Sequence, residues 1–110
     1  MTPLQFFKCL SDDTRLKSVL IICQLKEACV CDLMAALELD QPKVSRHLAG
    51  LRKCNILRDE RRGKWVYYRL HEQLPEWAKQ IISQTAENND HYFAEALAKL
   101  NTSKEHVLSC

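Results

Sequence analysis

The sequence lacks two features that would place it in or across a membrane. No apolar run approaches the roughly 20 residues that a bilayer-spanning helix needs, and the N-terminal stretch MTPLQFFKCLSDD has no basic start, long apolar region or small-residue cleavage site. We therefore expect a cytoplasmic protein. In that reducing compartment the six cysteines, at positions 9, 23, 29, 31, 54 and 110, are expected to be thiols, metal ligands or redox sensors.

Linkers and cofactor motifs are also missing. Two glycines and three prolines, with no internal repeat or low-complexity tract, predict a single domain over residues 1–100, followed by a polar, mobile tail over residues 101–110. A small thiol enzyme such as a reductase is disfavoured, because the chain has no C-x-x-C and no glycine-rich cofactor loop. We expect neither catalysis nor an organic cofactor.

The charge is unevenly distributed. Residues 41–69 carry nine Lys and Arg against two acids, a net charge of +7, whereas the rest of the chain has a net charge of −5. Solubility requires only mixed charge, but a polyanion partner requires a concentrated positive face. Nucleic acid is therefore the leading partner.

Capping residues and apolar periodicity predict a mainly α fold with one β-hairpin. Thr2 and Gln5 form a capping box for a first helix, over about residues 3–10, and residues 11–13 open a second. The second helix places Leu16, Val19, Leu20 and Cys23 on one stripe. A third helix follows the Cys29–Cys31 pair, Asp40 caps a fourth with an apolar seam at Val44, Leu48 and Leu51, and a hairpin is predicted over about 56–70.

This arrangement is typical of a winged helix-turn-helix, in which the fourth helix reads DNA and the hairpin is the wing. The face of the fourth helix opposite its seam carries small and basic residues that can reach phosphates or base edges. His47 borders the seam, so packing or hydrogen bonding is as plausible there as DNA contact. The predicted DNA-binding residues are Gln41, Lys43, Ser45, Arg46, His47, Arg52, Lys53, Arg61, Arg62 and Lys64.

The segments LSDDTRL, ACVCDLMAALELDQPKVSRHLAGLRK and GKWVYYRL together resemble the ArsR/SmtB family of metal- and metalloid-responsive repressors. They look most like the arsenical-resistance repressors, which carry ELCVCDLC, SQPKISRHL and a GKW wing. The resemblance implies a homodimer, joined through helices at about 3–10 and 74–100, that releases double-stranded operator DNA when As(III) or Sb(III) binds. A surplus of apolar residues also favours a dimer: Leu4, Phe6, Phe7, Trp77, Ile81 and Ile82.

Cys29 and Cys31 are the predicted metalloid ligands, since soft trivalent arsenic and antimony favour thiolates. Met34 stands where the arsenical repressors carry a third cysteine, and a neutral thioether replaces a thiolate poorly. The third ligand is left open between Cys54, Cys110, Cys9 and a small exogenous thiol or hydroxide. Residues i and i+2 lie about 200° apart on a helix, so both sulfurs reach one centre only if the first turn is frayed or non-helical.

Two alternatives concern the inducer. The cysteine pair could instead respond to cadmium, lead or zinc, or to thiol oxidation; the family's cadmium sensors use cysteines in a longer N-terminal extension, and here eight residues precede Cys9. The family's zinc site on the last helix is not expected. Its Asp-x-His and His-x-x-Glu spacings are missing, because Asp90 and His91 are adjacent and His106 precedes Val107 and Leu108.

Overall fold

A computed structural model describes the backbone of residues 1–106 and the side chains of residues 1–102. This part of the chain forms six helices and three short strands. In chain order they are α1 (Pro3–Leu10), α2 (Asp13–Leu25), β1 (Ala28–Cys29), α3 (Val30–Leu37), α4 (Gln41–Lys53), β2 (Leu57–Arg62), β3 (Trp65–Leu70), α5 (Glu76–Asn88) and α6 (Asp90–His106).

Side-chain caps set the starts of three helices, as the sequence predicts. Thr2 Oγ1 accepts a hydrogen bond from the backbone N–H of Gln5, whose own side chain accepts from the N–H of Thr2. The carboxylates of Asp12 and Asp40 each accept from the N–H three residues later, at 3.0 Å. Each cap satisfies a donor that has no partner inside its helix.

The second helix is more deeply buried than its predicted stripe. Residues 18–22 of α2 are all buried, because α1, α4, α5, α6 and β3 surround this helix. Leu16 and Cys23, two members of the predicted stripe, are only partly buried against the core. A central helix needs apolar residues all round, so a one-face periodicity underestimated its burial.

The helix-turn-helix consists of α3, a short turn and α4. Glu38 ends α3 in the left-handed conformation, at φ 54°, and the N–H of Leu39 returns to the carbonyl of Met34. The predicted seam is confirmed, because Val44, Leu48 and Leu51 are at most 1% exposed. Burial of this seam directs the opposite face of α4 toward solvent.

The wing contains the predicted hairpin and a third strand that was not predicted. β2 and β3 are antiparallel around Gly63, whose φ of 63° favours glycine, and β1 pairs with the other edge of β3. The pairing places Cys29 opposite Tyr67. A two-residue strand is too short to show alternation, so no sequence pattern indicated β1.

The C-terminal helical region divides where weak helix formers cluster. α5 ends at Asn88 and α6 begins at Asp90, at a run of three weak helix formers, Asn88, Asn89 and Asp90. α6 continues to His106, so the backbone of 101–106 is helical, although the whole segment 101–110 was predicted as a tail. The rest of that prediction, and Cys110, lie outside the described residues. Among the described helices, none has the length and apolarity to cross a membrane.

Candidate thiol pocket and DNA interface

Cys29 and Cys31 line the same surface pocket, which has a volume of about 240 Å³. Its other walls come from three elements. Val30 and Met34 belong to α3, Gln41 is the first residue of α4, and the wing supplies Lys64, Trp65 and Val66. The pocket, here named the thiol pocket, therefore touches both elements that the sequence predicts to contact DNA.

Local backbone geometry removes the conflict expected from the i, i+2 spacing. Cys29 ends β1 in an extended conformation, at φ −91° and ψ 170°, and is the N-cap of α3, whereas Cys31 lies in the first turn of that helix. The carboxylate of Asp32 accepts a hydrogen bond of 3.1 Å from the N–H of Cys29, so Asp32 caps the helix. Because Cys29 lies outside the helix, the 200° separation does not apply.

The two cysteines differ in exposure. Cys29 is 1% exposed and lies among residues of the core, whereas Cys31 is exposed at the pocket surface. A thiophilic ligand from solvent would therefore meet Cys31 first. Met34, also in the pocket wall, is partly buried against the core.

The described residues bring no third predicted ligand to the thiol pocket. Among them, no group of three His, Cys, Asp or Glu side chains is placed to hold a metal ion. Cys9 and Cys54 lie at the opposite end of α4, in contact with each other, and do not line the thiol pocket. Cys23 is half-buried on α2, where burial raises the pKa of its thiol.

Arg15 links α2 to α4 near the Cys9–Cys54 pair. Its Nε donates to Nδ1 of His47 at 3.3 Å, and its Nη1 lies 4.0 Å from Sγ of Cys9. Nδ1 of His47 also lies 3.7 Å from a carboxylate oxygen of Asp12. The structure therefore engages His47 in a hydrogen-bonding role inside the fold. Sequence reasoning overlooked Arg15, although it belongs to the LSDDTRL segment.

The solvent face of α4 carries most of the predicted DNA-binding residues. Gln41, Lys43, Arg46, Arg52 and Lys53 are exposed, and Ser45 is half-buried. The amide nitrogen of Gln41 donates to Oγ of Ser45 at 3.0 Å, which orients both side chains along the first two turns. This face can present donors to phosphates and base edges.

Ion pairs divide the nine basic residues of 41–69 into two groups. Four contact carboxylates: Arg52 with Asp59, Arg58 with Glu72, Arg62 with Glu27 and Glu60, and Arg69 with Glu60. Within the described part of the chain, the other five have no carboxylate within 4.0 Å: Lys43, Arg46, Lys53, Arg61 and Lys64. All five are exposed.

Glu27 joins the wing to the segment that leads into the thiol pocket. It accepts two hydrogen bonds from the guanidinium of Arg62, at 2.7 and 2.8 Å, and these lower the pKa of the Glu27 carboxyl. Glu27 directly precedes β1, so this pair and the β1–β3 pairing hold Cys29 to the wing. No local sequence signal identifies Glu27, because its partner is 35 residues away.

The apolar surplus noted in the sequence is only partly absorbed by the core. Phe6 and Ile82 are buried, whereas Leu4, Phe7 and Trp77 are 67%, 51% and 36% exposed. The rings of Phe6 and Trp77 meet edge to face at 5.2 Å, which joins α1 to α5. Exposed apolar residues therefore lie on both helices.

A helix-turn-helix with an exposed basic second helix and a basic hairpin beside it defines a winged helix-turn-helix protein. Residues 12–59 match the family model described as bacterial regulatory protein, arsR family. An arsenic resistance transcriptional regulator of Pseudomonas putida is 44% identical over 113 aligned positions, covering 100% of this chain and 88% of that protein. The arsenical resistance operon repressor of Escherichia coli is 52% identical, over 76% of this chain and 72% of its own length.

Solved structures agree with this assignment. The antimony-specific transcriptional repressor AntR superposes with a TM-score of 0.65 at 27% identity, covering 80% of this chain and 77% of that one. The chain belongs to the ArsR family of bacterial regulatory proteins. It is a transcriptional regulator and not an enzyme.

Proposed function

We propose that this protein is a repressor that binds operator DNA as a homodimer and releases it when As(III) or Sb(III) binds the thiolate of Cys31 together with that of Cys29 in its reduced form. The observation that carries the proposal is the thiol pocket, because the two cysteines share it with Gln41 of α4 and Lys64 of the wing. The names of the relatives, which specify arsenic resistance and antimony, support a metalloid inducer. As a DNA-binding regulator it would act in the cytoplasm.

Coupling between the inducer and DNA follows from what the thiol pocket contacts. A metalloid bonded to both sulfurs joins the end of β1 to the first turn of α3. β1 is paired with β3, and the pocket also touches the start of α4. A shift at the thiols therefore changes the position of the wing relative to α4. The DNA-bound arrangement binds metalloid less well, and by linkage the metalloid-bound arrangement binds DNA less well by the same factor.

The DNA contacts are assigned by exposure and by ion pairing. We assign direct DNA contacts to Gln41, to Ser45 and to the five basic residues that have no carboxylate partner among the described residues. Arg52 and Arg62 also face solvent, and each must leave or share a carboxylate to reach a phosphate. His47 is proposed to position α4 through Arg15.

The homodimer is proposed to form through α1 and α5. Leu4, Phe7 and Trp77 expose large apolar area on these helices, and exposed apolar patches of this kind mark interaction surfaces. In a dimer with a two-fold axis, these residues of both copies would be buried in the interface, and the two copies of α4 would lie on one duplex.

Fluorescence anisotropy with labelled DNA from upstream of the gene tests the proposal. Protein bound to the duplex is titrated with As(III), Sb(III), Cd(II) and Zn(II), for wild type and for Cys29→Ser, Cys31→Ser and Cys23→Ser. We expect wild type and Cys23→Ser to release DNA at similar As(III) concentrations. Cys31→Ser should need at least about tenfold more, since each 1.4 kcal/mol of lost binding is a factor of ten.

Two results would contradict this function. Cys29→Ser and Cys31→Ser variants that release DNA like wild type would remove the thiol assignment. Release by Cd(II) or Zn(II) at lower concentrations than As(III), or by oxidants alone, would replace the metalloid with another inducer. The same titration at several salt concentrations tests DNA binding, since Arg46→Ala should weaken it and reduce its salt dependence.

A further inference from the structure

A second pair of cysteines lies where α1 meets the C-terminal end of α4. Sγ of Cys9 is 3.7 Å from the carbonyl oxygen of Gly50. The same oxygen accepts a hydrogen bond from the backbone N–H of Cys54, with an N–O distance of 3.2 Å. A hydrogen bond with the Cys54 side chain is among the causes that raise the pKa of Cys9, and Nη1 of Arg15 lies 4.0 Å from Sγ of Cys9. Two chain segments 45 positions apart thus bring their sulfurs together at one carbonyl.

The pair is open to solvent from one side. Cys9 is 4% exposed, whereas Cys54 is half-buried and lines a surface pocket of about 200 Å³ with Met1, Gln5 and Lys53. A small reagent that enters this pocket reaches Cys54 first, and Cys9 shares the Gly50 carbonyl with Cys54 but does not line the pocket. The order of access suits a ligand that forms two bonds to sulfur in succession.

The electrostatics of the pair favour a ligand that leaves the site uncharged. Burial and the hydrogen bond with Cys54 raise the pKa of Cys9 to about 12, so its thiol is protonated at neutral pH. A divalent metal ion needs thiolates and usually four ligands, and the described residues supply no group of three His, Cys, Asp or Glu. A trivalent arsenical with one organic substituent needs only two sulfurs, and its dithiol adduct is neutral.

We infer that Cys9 and Cys54 form a second dithiol site, separate from the thiol pocket, that binds a monosubstituted trivalent arsenical, R–As(OH)2. Two As–S bonds form and two As–O bonds break. The two thiol protons leave with the two hydroxide groups as two molecules of water, and arsenic stays trivalent, so no oxidant or reductant is required. The two cysteines would thus complete each other's site rather than supply the missing third ligand to Cys29 and Cys31.

Phenylarsine oxide is the probe for this site. In a variant with serine at positions 23, 29, 31 and 110, only Cys9 and Cys54 remain. We expect one phenylarsenic group per folded chain by intact-mass spectrometry, stable to excess glutathione and removed by a small dithiol. Adding Cys54→Ser should abolish the adduct, since a single thiol does not hold the arsenical against glutathione.

Peptide mapping of the wild-type protein provides a second measurement that requires no multiple variant. Phenylarsine oxide should protect Cys54 from iodoacetamide, and Cys9→Ser should remove that protection. No adduct on the folded variant, or unchanged labelling of Cys54 in wild type, would overturn the inference. Neither result bears on the role of Cys31 in operator release, so failure here and failure of the proposed function are distinguishable.

Discussion

At the scale of single residues, Met34 limits the thiol pocket to two cysteine sulfurs. It lines the pocket beside Cys29 and Cys31, at the place where the arsenical-resistance repressors have a third cysteine. A thioether is neutral and has no proton to lose, so it binds trivalent arsenic much more weakly than a thiolate does.

Replacing this thioether with a thiol should therefore strengthen the response. We expect Met34→Cys to release operator DNA at an As(III) concentration at least about tenfold lower than wild type, because a third As–S bond closes the pyramid. Met34→Leu, which keeps the volume and removes the sulfur, should behave like wild type. Anisotropy titration measures both. Equal midpoints for Met34→Cys and wild type would show that position 34 does not face the bound metalloid.

The raised pKa of the Cys9 thiol predicts that the stability of the fold decreases at alkaline pH. Its pKa rises on folding from 9.0 to about 12, because burial and the Cys54 hydrogen bond favour the neutral form. The folded state therefore holds the proton more tightly than the unfolded state does. The contribution is complete below pH 9 and is lost as the pH rises toward 12.

Urea denaturation between pH 8 and pH 10.5 measures this effect. We expect the free energy of unfolding of wild type to fall across that range more steeply than that of Cys9→Ala, which has no thiol to titrate. Cys31→Ala, with the substitution at an exposed site, is the control and should keep the wild-type slope. Parallel curves for wild type and Cys9→Ala would contradict the shift.

At the scale of elements, the attachment of α4 to α2 depends on Arg15. Its guanidinium covers Gly50, where an added Cβ would lie 2.6 Å from Nη2, while its Nε donates to His47. We expect Arg15→Ala to lower the free energy of unfolding by about 1–2 kcal/mol. Gly50→Ala in wild type should change the free energy of unfolding little, because the gain in helix propensity is offset by the displacement of Arg15.

In the Arg15→Ala background the same glycine substitution should stabilise the protein by about 0.5–1 kcal/mol, because the clash is gone and only the propensity gain remains. Urea denaturation of the four proteins completes a double-mutant cycle. A Gly50→Ala effect of equal size in both backgrounds would show that Arg15 does not pack over this glycine.

The elements differ in how far the sequence predicted them. The capped helices and the hairpin were predicted correctly because helix caps, apolar periodicity and turn residues depend only on residues close in sequence. Thr2, Asp12, Asp40 and Gly63 are examples. β1 was missed because a two-residue strand exists only through its pairing with β3. That strand places Cys29 in extended backbone, and so it decides the geometry of the thiol pocket.

At the scale of the whole molecule, the exposed apolar residues of α1 and α5 predict association. We expect Phe7→Asp to raise the dimer dissociation constant by roughly a hundredfold. The substitution occurs twice in a symmetric dimer, and each lost phenyl ring removes about 1.5 kcal/mol or more of apolar burial. Sedimentation velocity measures the change, and circular dichroism should show retained helicity, because Phe7 is 51% exposed in the single chain.

Lys26→Asp is the matched control, since it changes charge on the exposed turn before β1 and should leave association unaltered. Unchanged dimerisation of Phe7→Asp would mean that another face joins the two copies. Weakened dimerisation should also weaken operator binding, because each half-site then binds alone.

The sequence by itself determined the helices, the wing, the basic segment and the family resemblance, because caps, periodicity, charge and short motifs are written in neighbouring residues. Tertiary structure alone decided which residues meet. It placed Gln41 and Lys64 beside Cys29 and Cys31, joined Glu27 to Arg62, and paired Cys9 with Cys54 at the far end of α4. These contacts join residues that are 10 to 45 positions apart in the chain, so they depend on how the helices and strands pack together and not on any local pattern.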